Sequence, residues 1–198
     1  MPKHYDHAYF QHWYRGRRDI GGAARLARKV ALAVACAEYW LERPIRTVLD
    51  VGAGEAAWRA PLLKLRPRLR YLAFDASPWA VRRYGRHRDL HLAAFADFAR
   101  LRPCPPADLL VCADVLHYLA DAEFERGLPG LAELCGGVAF LETFTAADEI
   151  EGDLDGFVAR TPAWYRRRLA GAGFVPAGSH CWIGPALAGH AAALETCG

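Results

Sequence analysis

Apolar residues recur at helical spacing over residues 21–42, an Ala- and Leu-rich stretch that stops before Pro44 and predicts a long helix. The pattern then changes period. Residues 47–51 (TVLDV) form a short apolar run that predicts a strand, and a helical stretch follows to about Leu65, bounded by Pro67. A second strand is expected over 69–75, then a helix over 78–86 with Ser77 as its N-cap and Pro78 at its first position. A third strand is expected over 90–97, and a fourth over 107–114 beyond the breaks at Pro103, Pro105 and Pro106. A helix over 121–135 ending at Gly136 and Gly137, a fifth strand over 137–144, a helix over 162–171 and two short strands within 173–195 complete the chain. Strands that alternate with helices and are themselves near-continuous apolar runs predict an α/β fold. It has a doubly wound, mostly parallel sheet covered on both faces.

Candidate chemistry concentrates where these strands end. Asp50, Gly52, Ala53 and Gly54 stand at the handover from the first strand to the next helix. There, glycines let a ligand approach the backbone, and a helix N-terminus offers unpaired N–H groups to an anion. Asp75 closes the second strand, a place from which a carboxylate can accept hydrogen bonds from a ribose diol. The run from Gly52 (G-A-G-E-A-A) also fits a nicotinamide-dinucleotide fingerprint loosely, so the turn alone does not select the cofactor.

Taken together, VLDVGAGEA (48–56), FDAS closing the second strand, FADF closing the third and LLVCADVLHYL on the fourth resemble the class I S-adenosylmethionine-dependent methyltransferases. The resemblance spans about 45–145 directly. The later WYRRRLAGAGF run looks like that family's last helix entering its sixth strand. It implies one domain over 1–198 with strand order 3-2-1-4-5-7-6, the last strand antiparallel, and S-adenosylmethionine as cofactor. It further implies that Asp50 and the Gly52–Gly54 backbone lie near the methionine part. Asp75 would take the ribose hydroxyls and Ala76 lie against the adenine. Asp97 would accept from the adenine amino group, with Phe98 donating its backbone N–H or packing the ring, and Ala113 and Asp114 would line the methionine side. The family's third glycine is Ala56 here.

Methyl transfer from a sulfonium asks the protein mainly for orientation and exclusion of water. An oxygen or nitrogen acceptor additionally needs a base where it carries a proton, and His117 and Glu142 are the candidates at the sheet's C-terminal edge. The aromatic segment 1–20, with Tyr9, Trp13, Tyr14 and Arg15, is a candidate lid over cofactor and substrate, or else an amphipathic helix on the sheet's flank. Residues 145–163 form a second candidate lid whose acidic residues, Asp148, Glu149, Glu151, Asp153 and Asp155, read as a solvated loop.

Composition narrows the partners. The 25 Lys and Arg against 22 Asp and Glu leave a net charge of +3, and the Arg clusters carry no interleaved aromatics, so no nucleic-acid partner is expected. The tetrapeptide after the fourth strand is DVLH, unlike the NPPY type of base-modifying relatives. The longest apolar run, Val30–Leu41, contains Glu38 and is too short to span a membrane. The six cysteines form no CxxC pair, so no metal site is expected; they read as small core residues of a reduced, cytoplasmic protein. The expected activity is methylation of a small-molecule metabolite by a monomer or homodimer. An RNA or protein methyltransferase of the same fold and a non-catalytic cofactor-binding protein are the alternatives.

Overall fold

A computed structural model describes residues 22–149 and 154–193. Its elements in chain order are α1 (Gly22–Leu41), β1 (Thr47–Val51), α2 (Arg59–Leu65), β2 (Arg70–Asp75), α3 (Pro78–Arg88) and β3 (Leu90–Leu92). They continue with β4 (Ala107–Ala113), α4 (Asp121–Glu133), β5 (Cys135–Glu142), α5 (Pro162–Gly171), β6 (Val175–Gly178) and β7 (Cys181–Ile183). The strands make one sheet in the order β3-β2-β1-β4-β5-β7-β6. All neighbours from β3 to β5 are parallel, and β7 runs antiparallel to both β5 and β6. This is the expected order, including the reversed last strand.

Alternation along each strand divides the core into two layers. Val48, Ala73, Leu109, Val111, Val138 and Phe140 face Val30, Ala33, Val34 and Ala37 of α1. Leu49, Leu110, Cys112, Ala139 and Leu141 face the opposite way, against Phe124 and Leu131 of α4 and Tyr165 and Leu169 of α5. The near-continuous apolar strands are thus explained by burial on both faces. Capping fixes the helix starts. Ser77 Oγ accepts the N–H of Ala80 at 3.1 Å, and Thr161 Oγ1 accepts that of Trp164 at 3.2 Å.

Of the boundaries that differ from the sequence reading, three bear on the packing. The third strand stops at Leu92, and Phe95–Ala99 forms a 3₁₀ turn. Phe95 and Phe98, three residues apart, are both buried on the side that meets α4, a spacing that a turn satisfies and a strand does not. A Cβ at Gly130 of α4 would collide with the Phe98 carbonyl, so the glycine permits this close approach. The fourth long helix ends at Glu133, before the two glycines. Cys135–Glu142 is strand throughout, because Cys135 pairs with Ala107 in the sheet.

Asp108, at the opposite end of the sheet from the candidate residues at the strand C-terminal ends, is a buried carboxylate outside the sequence reading. Its oxygens accept from Arg43 at 2.6 and 3.2 Å and from the backbone N–H groups of Arg46 and Thr47 at 2.6 and 3.2 Å. Burial raises its pKa, but these donors outweigh burial and hold it below the usual carboxylate range.

Candidate active site

The turn after β1 is pinned to β2. The N–H groups of Gly52 and Ala53 both donate to the Phe74 carbonyl, at 2.8 and 3.0 Å. Gly54 N donates to Asp75 Oδ2 at 2.7 Å, while Asp75 Oδ1 accepts from Ser77 N at 2.8 Å. Asp75 therefore braces both the first turn and the start of α3. Each of its oxygens keeps acceptor capacity for a second donor. Burial pushes its pKa up, against the lowering effect of the two backbone donors. Ala76, next to it, is exposed.

Gly52, Gly54 and Ala56 all have positive φ, +74°, +55° and +54°. At Gly52 a Cβ would overlap Cγ2 of Val115 and lie 3.0 Å from its Cγ1. Ala56 takes the left-handed conformation where the family has its third glycine, at a strain of about 1–2 kcal/mol. Its methyl is buried, which offsets part of that strain. The helix does not follow directly on the glycines: residues 54–58 are turn, and α2 begins only at Arg59.

Asp50 lies under this turn, 2% exposed, and Tyr71 of β2 donates its hydroxyl to Oδ2 at 2.6 Å. Oδ1 accepts no hydrogen bond from any described residue. Burial pushes the Asp50 carboxyl up to about 7, opposed by the Tyr71 hydrogen bond and reinforced by the nearby charge of Asp75. On the β3 side, Asp97 is exposed and its Oδ2 accepts from Ala94 N at 2.8 Å, capping its own 3₁₀ turn. The Phe98 ring is wholly buried and packs edge-on against Phe74, with centroids 5.5 Å apart. It belongs to the core.

At the ends of β4 and β5, Ala113 pairs in register with Glu142, and Asp114 N donates to the Glu142 carbonyl at 2.9 Å. Asp114 has φ +63° and an exposed side chain, with Oδ1 3.4 Å from Nε2 of His117. The His117 ring is buried. Its Nδ1 lies 3.3 Å from Thr143 Oγ1 and accepts from Phe144 N at 3.4 Å, which assigns the ring proton to Nε2, facing Asp114. Tyr118, Phe144 and Phe157 surround the ring at 4.2, 5.4 and 5.6 Å. Glu142 is buried on the α1 face of the sheet and receives the Lys29 ammonium on both oxygens at 2.6 Å. The two candidate bases thus stand on adjacent strand ends, each with a charged neighbour.

Three contributors escaped the sequence reading: Lys29, Tyr71 and Arg160. Arg160 is 5% exposed and donates to Asp121 Oδ1 at 2.9 and 2.6 Å, to the carbonyls of Leu116 (3.1 Å) and Leu119 (2.5 Å), and to Tyr165 Oη at 3.2 Å. With the Val158 N–H donating to the His117 carbonyl at 2.8 Å, it fastens residues 154–163 to the loop after β4. Of the acidic loop, Asp148 caps Thr145 through Oδ2 at 2.8 Å, and Glu149 and Asp155 are exposed. Glu151, Asp153 and the residues of segment 1–20, among them Tyr9, Trp13, Tyr14 and Arg15, lie outside the described residues. Among the described residues no group of three or more His, Cys, Asp or Glu is placed to hold a metal ion, and no helix is long and apolar enough to cross a membrane.

Residues 49–136 match the family model of a methyltransferase domain. No curated protein sequence matches the chain. Solved structures share its fold. An O-methyltransferase family protein from Burkholderia thailandensis aligns with a TM-score of 0.53 at 19% identity, over 88% of this chain and 63% of its own. The 1,6-didemethyltoxoflavin-N1-methyltransferase of B. thailandensis, solved with its substrate and S-adenosylhomocysteine, aligns with a TM-score of 0.58 at 19% identity, over 89% and 85%. The sugar N-methyltransferase KedS8 from a Streptoalloteichus species gives a TM-score of 0.62 at 19% identity, over 86% and 90%. The chain therefore spans less than two thirds of the first of these proteins and most of the other two.

Proposed function

We propose, from the premise that this chain carries a class I S-adenosylmethionine-dependent methyltransferase domain, that it moves a methyl group to an oxygen or nitrogen of a small-molecule metabolite in the cytoplasm. The observation that carries the reading is the pair of carboxyls at the ends of β1 and β2. Asp50 keeps one oxygen without a partner among the described residues, and Asp75 is braced by the Gly54 and Ser77 N–H groups. Between them runs a turn whose backbone a ligand can approach closely. This donor set fits S-adenosylmethionine: a buried carboxyl for the ammonium, a second for the ribose diol, and an open strand edge for the rest.

When bound, the cofactor supplies a methyl on a positively charged sulfur. This chain's residues then have to hold and orient. Asp50 Oδ1 accepts from the ammonium, and Asp75 accepts from the two ribose hydroxyls through its remaining lone pairs. Ala76 lies against the adenine, Asp97 accepts from the exocyclic amino group beside the Phe98 backbone, and Ala113 and Asp114 border the methionine side. A proton on the acceptor passes to His117 or Glu142. His117 would take it on Nε2 only from the other tautomer, with Nδ1 giving up the Phe144 N–H and donating to Thr143 Oγ1, and would then be an imidazolium beside the Asp114 carboxylate; Glu142 taking it would give up one of its Lys29 contacts. The small-molecule acceptor is supported by the toxoflavin-precursor and sugar methyltransferases among the similar structures.

Calorimetric titration with S-adenosylmethionine, S-adenosylhomocysteine and NADH tests the reading. Micromolar binding of the two adenosyl compounds and none of NADH is expected; binding of NADH alone overturns it. Asp75→Ala is expected to weaken S-adenosylhomocysteine binding by about 1–3 kcal/mol, the scale of hydrogen bonds to a charged group. Unchanged affinity in that variant would remove the ribose from Asp75.

A further inference from the structure

We propose that Tyr71 is a positioning residue for cofactor capture: its hydroxyl holds Oδ2 of Asp50 so that Oδ1 meets the cofactor's ammonium as an ionised carboxylate. This inference rests on the cofactor reading above and concerns a residue outside its contact set. Tyr71 stands opposite Val48 in the β1–β2 register, two residues before Asp50's own neighbour Ala73. Its ring therefore lies on the same face as Asp50, and its hydroxyl reaches along that face to the carboxylate, 2.6 Å away and out of water. The hydrogen bond engages Oδ2 and leaves Oδ1 without a donor among the described residues.

The chemistry needs that bond. A carboxyl in an apolar layer is pushed toward its neutral form, and a neutral carboxyl cannot form an ion pair with an ammonium. The groups that act on the pair come from four elements. Asp75 of β2 raises the Asp50 pKa; Arg59 of α2 and Arg88 of α3 act on Tyr71; the buried Cys112 thiol of β4 lies within the Asp50 field and is itself pushed up, chiefly by burial. Of these, the Tyr71 hydroxyl is the group that favours the charged form of Asp50 by direct contact. Burial, followed by the Asp50 charge, holds the phenol's own pKa well above its usual value, so the hydroxyl remains a donor throughout the working pH range.

The experiment is titration of S-adenosylhomocysteine into the wild type and Tyr71→Phe between pH of about 5.5 and 8.5. In the wild type, affinity is expected to rise about tenfold per pH unit up to about pH 7 and then flatten, because binding selects the ionised carboxylate. In Tyr71→Phe the rising limb moves up by about one unit. Binding is then about tenfold weaker at pH 5.5, about fivefold weaker at pH 7 and within about twofold of the wild type at pH 8.5. A loss of the same size at every pH is the mark of a merely structural role and overturns the proposal, as does an unshifted limb. Asp50→Asn should abolish the limb in both backgrounds; its persistence there overturns the proposal. A readout on the wild type needs no variant. The Tyr71 Cζ resonance should titrate with the midpoint of the Asp50 carboxyl carbon, and a Tyr71 signal that ignores that midpoint overturns the coupling. Failure of the wild type to bind at any pH overturns the cofactor reading itself, an outcome distinct from a wild-type limb that Tyr71→Phe leaves in place.

Discussion

Arg160→Ala is expected to lower the free energy of unfolding by about 3–5 kcal/mol, measured as a drop in the urea midpoint at unchanged slope. The side chain is 5% exposed and serves three segments at once: the loop after β4 through Leu116 and Leu119, the start of α4 through Asp121, and α5 through Tyr165. Its guanidinium also lies 4.4 Å from the Trp164 ring centroid. Truncation leaves the two carbonyls and the phenol without this donor and opens a cavity the size of the side chain. Asp121 contributes least to the loss, because its side chain is 60% exposed and rehydrates. Arg168 provides the contrast. It lies 4.0 Å from the same Trp164 ring centroid with Glu125 as its ion-pair partner, half-exposed, and Arg168→Ala is expected to cost no more than about 1 kcal/mol. A loss below about 1 kcal/mol in Arg160→Ala would mean that water replaces the guanidinium, and that residues 154–163 are held by other contacts.

That difference between two arginines on one aromatic ring shows where sequence reading stops. Helix and strand period, the Ser77 cap and the proline breaks were enough to order twelve elements, because each is set by neighbours along the chain. The sheet order came from the family resemblance of the strand-end motifs and is the order found. The stretch 93–97 misled because Ala93 and Phe95 carry the apolar content of a strand, while the spacing of Phe95 to Phe98 just beyond it serves the α4 contact. Arg160, Lys29 and Tyr71 were illegible for a different reason. An arginine before a Thr-Pro cap, a lysine in a helix of many charges and an aromatic in a strand all have ordinary local roles. Apart from the Arg160 contact with Tyr165, their partners lie 39–44, 113 and 21 residues away.

The candidate site shows the same division. Asp50, Gly52, Gly54 and Asp75 were legible because they sit in one short motif and at one strand end, and the fold brings Gly54 and Asp75 into direct contact. Glu142 is one of the two candidate bases, and the fold gives it an ion-pair partner, Lys29. His117 is the other. Its ring is packed among three aromatics and also lies beside Asp114, a combination that only the crossing of the β4 loop, the β5 end and residues 157–158 creates.

Gly52→Ala is expected to destabilise the protein by about 3 kcal/mol or more and to weaken cofactor binding in parallel, since two separate effects act at that residue. The first is conformational. At φ +74° an alanine pays about 1–2 kcal/mol that glycine does not. The second is steric. The new methyl would overlap Cγ2 of Val115, whose β-branched side chain has little rotamer freedom with which to move aside. Neither the turn nor Val115 can drift away cheaply, because Gly52 and Ala53 both donate to the Phe74 carbonyl and Tyr118 N donates to the Val115 carbonyl at 2.9 Å. A double-mutant cycle separates the two effects. In a Val115→Ala background the overlap disappears and Gly52→Ala should cost only the conformational part, about 1–2 kcal/mol. The difference between the two backgrounds, read from urea unfolding, is the steric coupling between the β1 turn and the loop after β4. Equal costs in both backgrounds would place the whole effect in the backbone of Gly52. In that case the contact with Val115 would be slack, and the β1 turn and the loop after β4 would be positioned independently of each other.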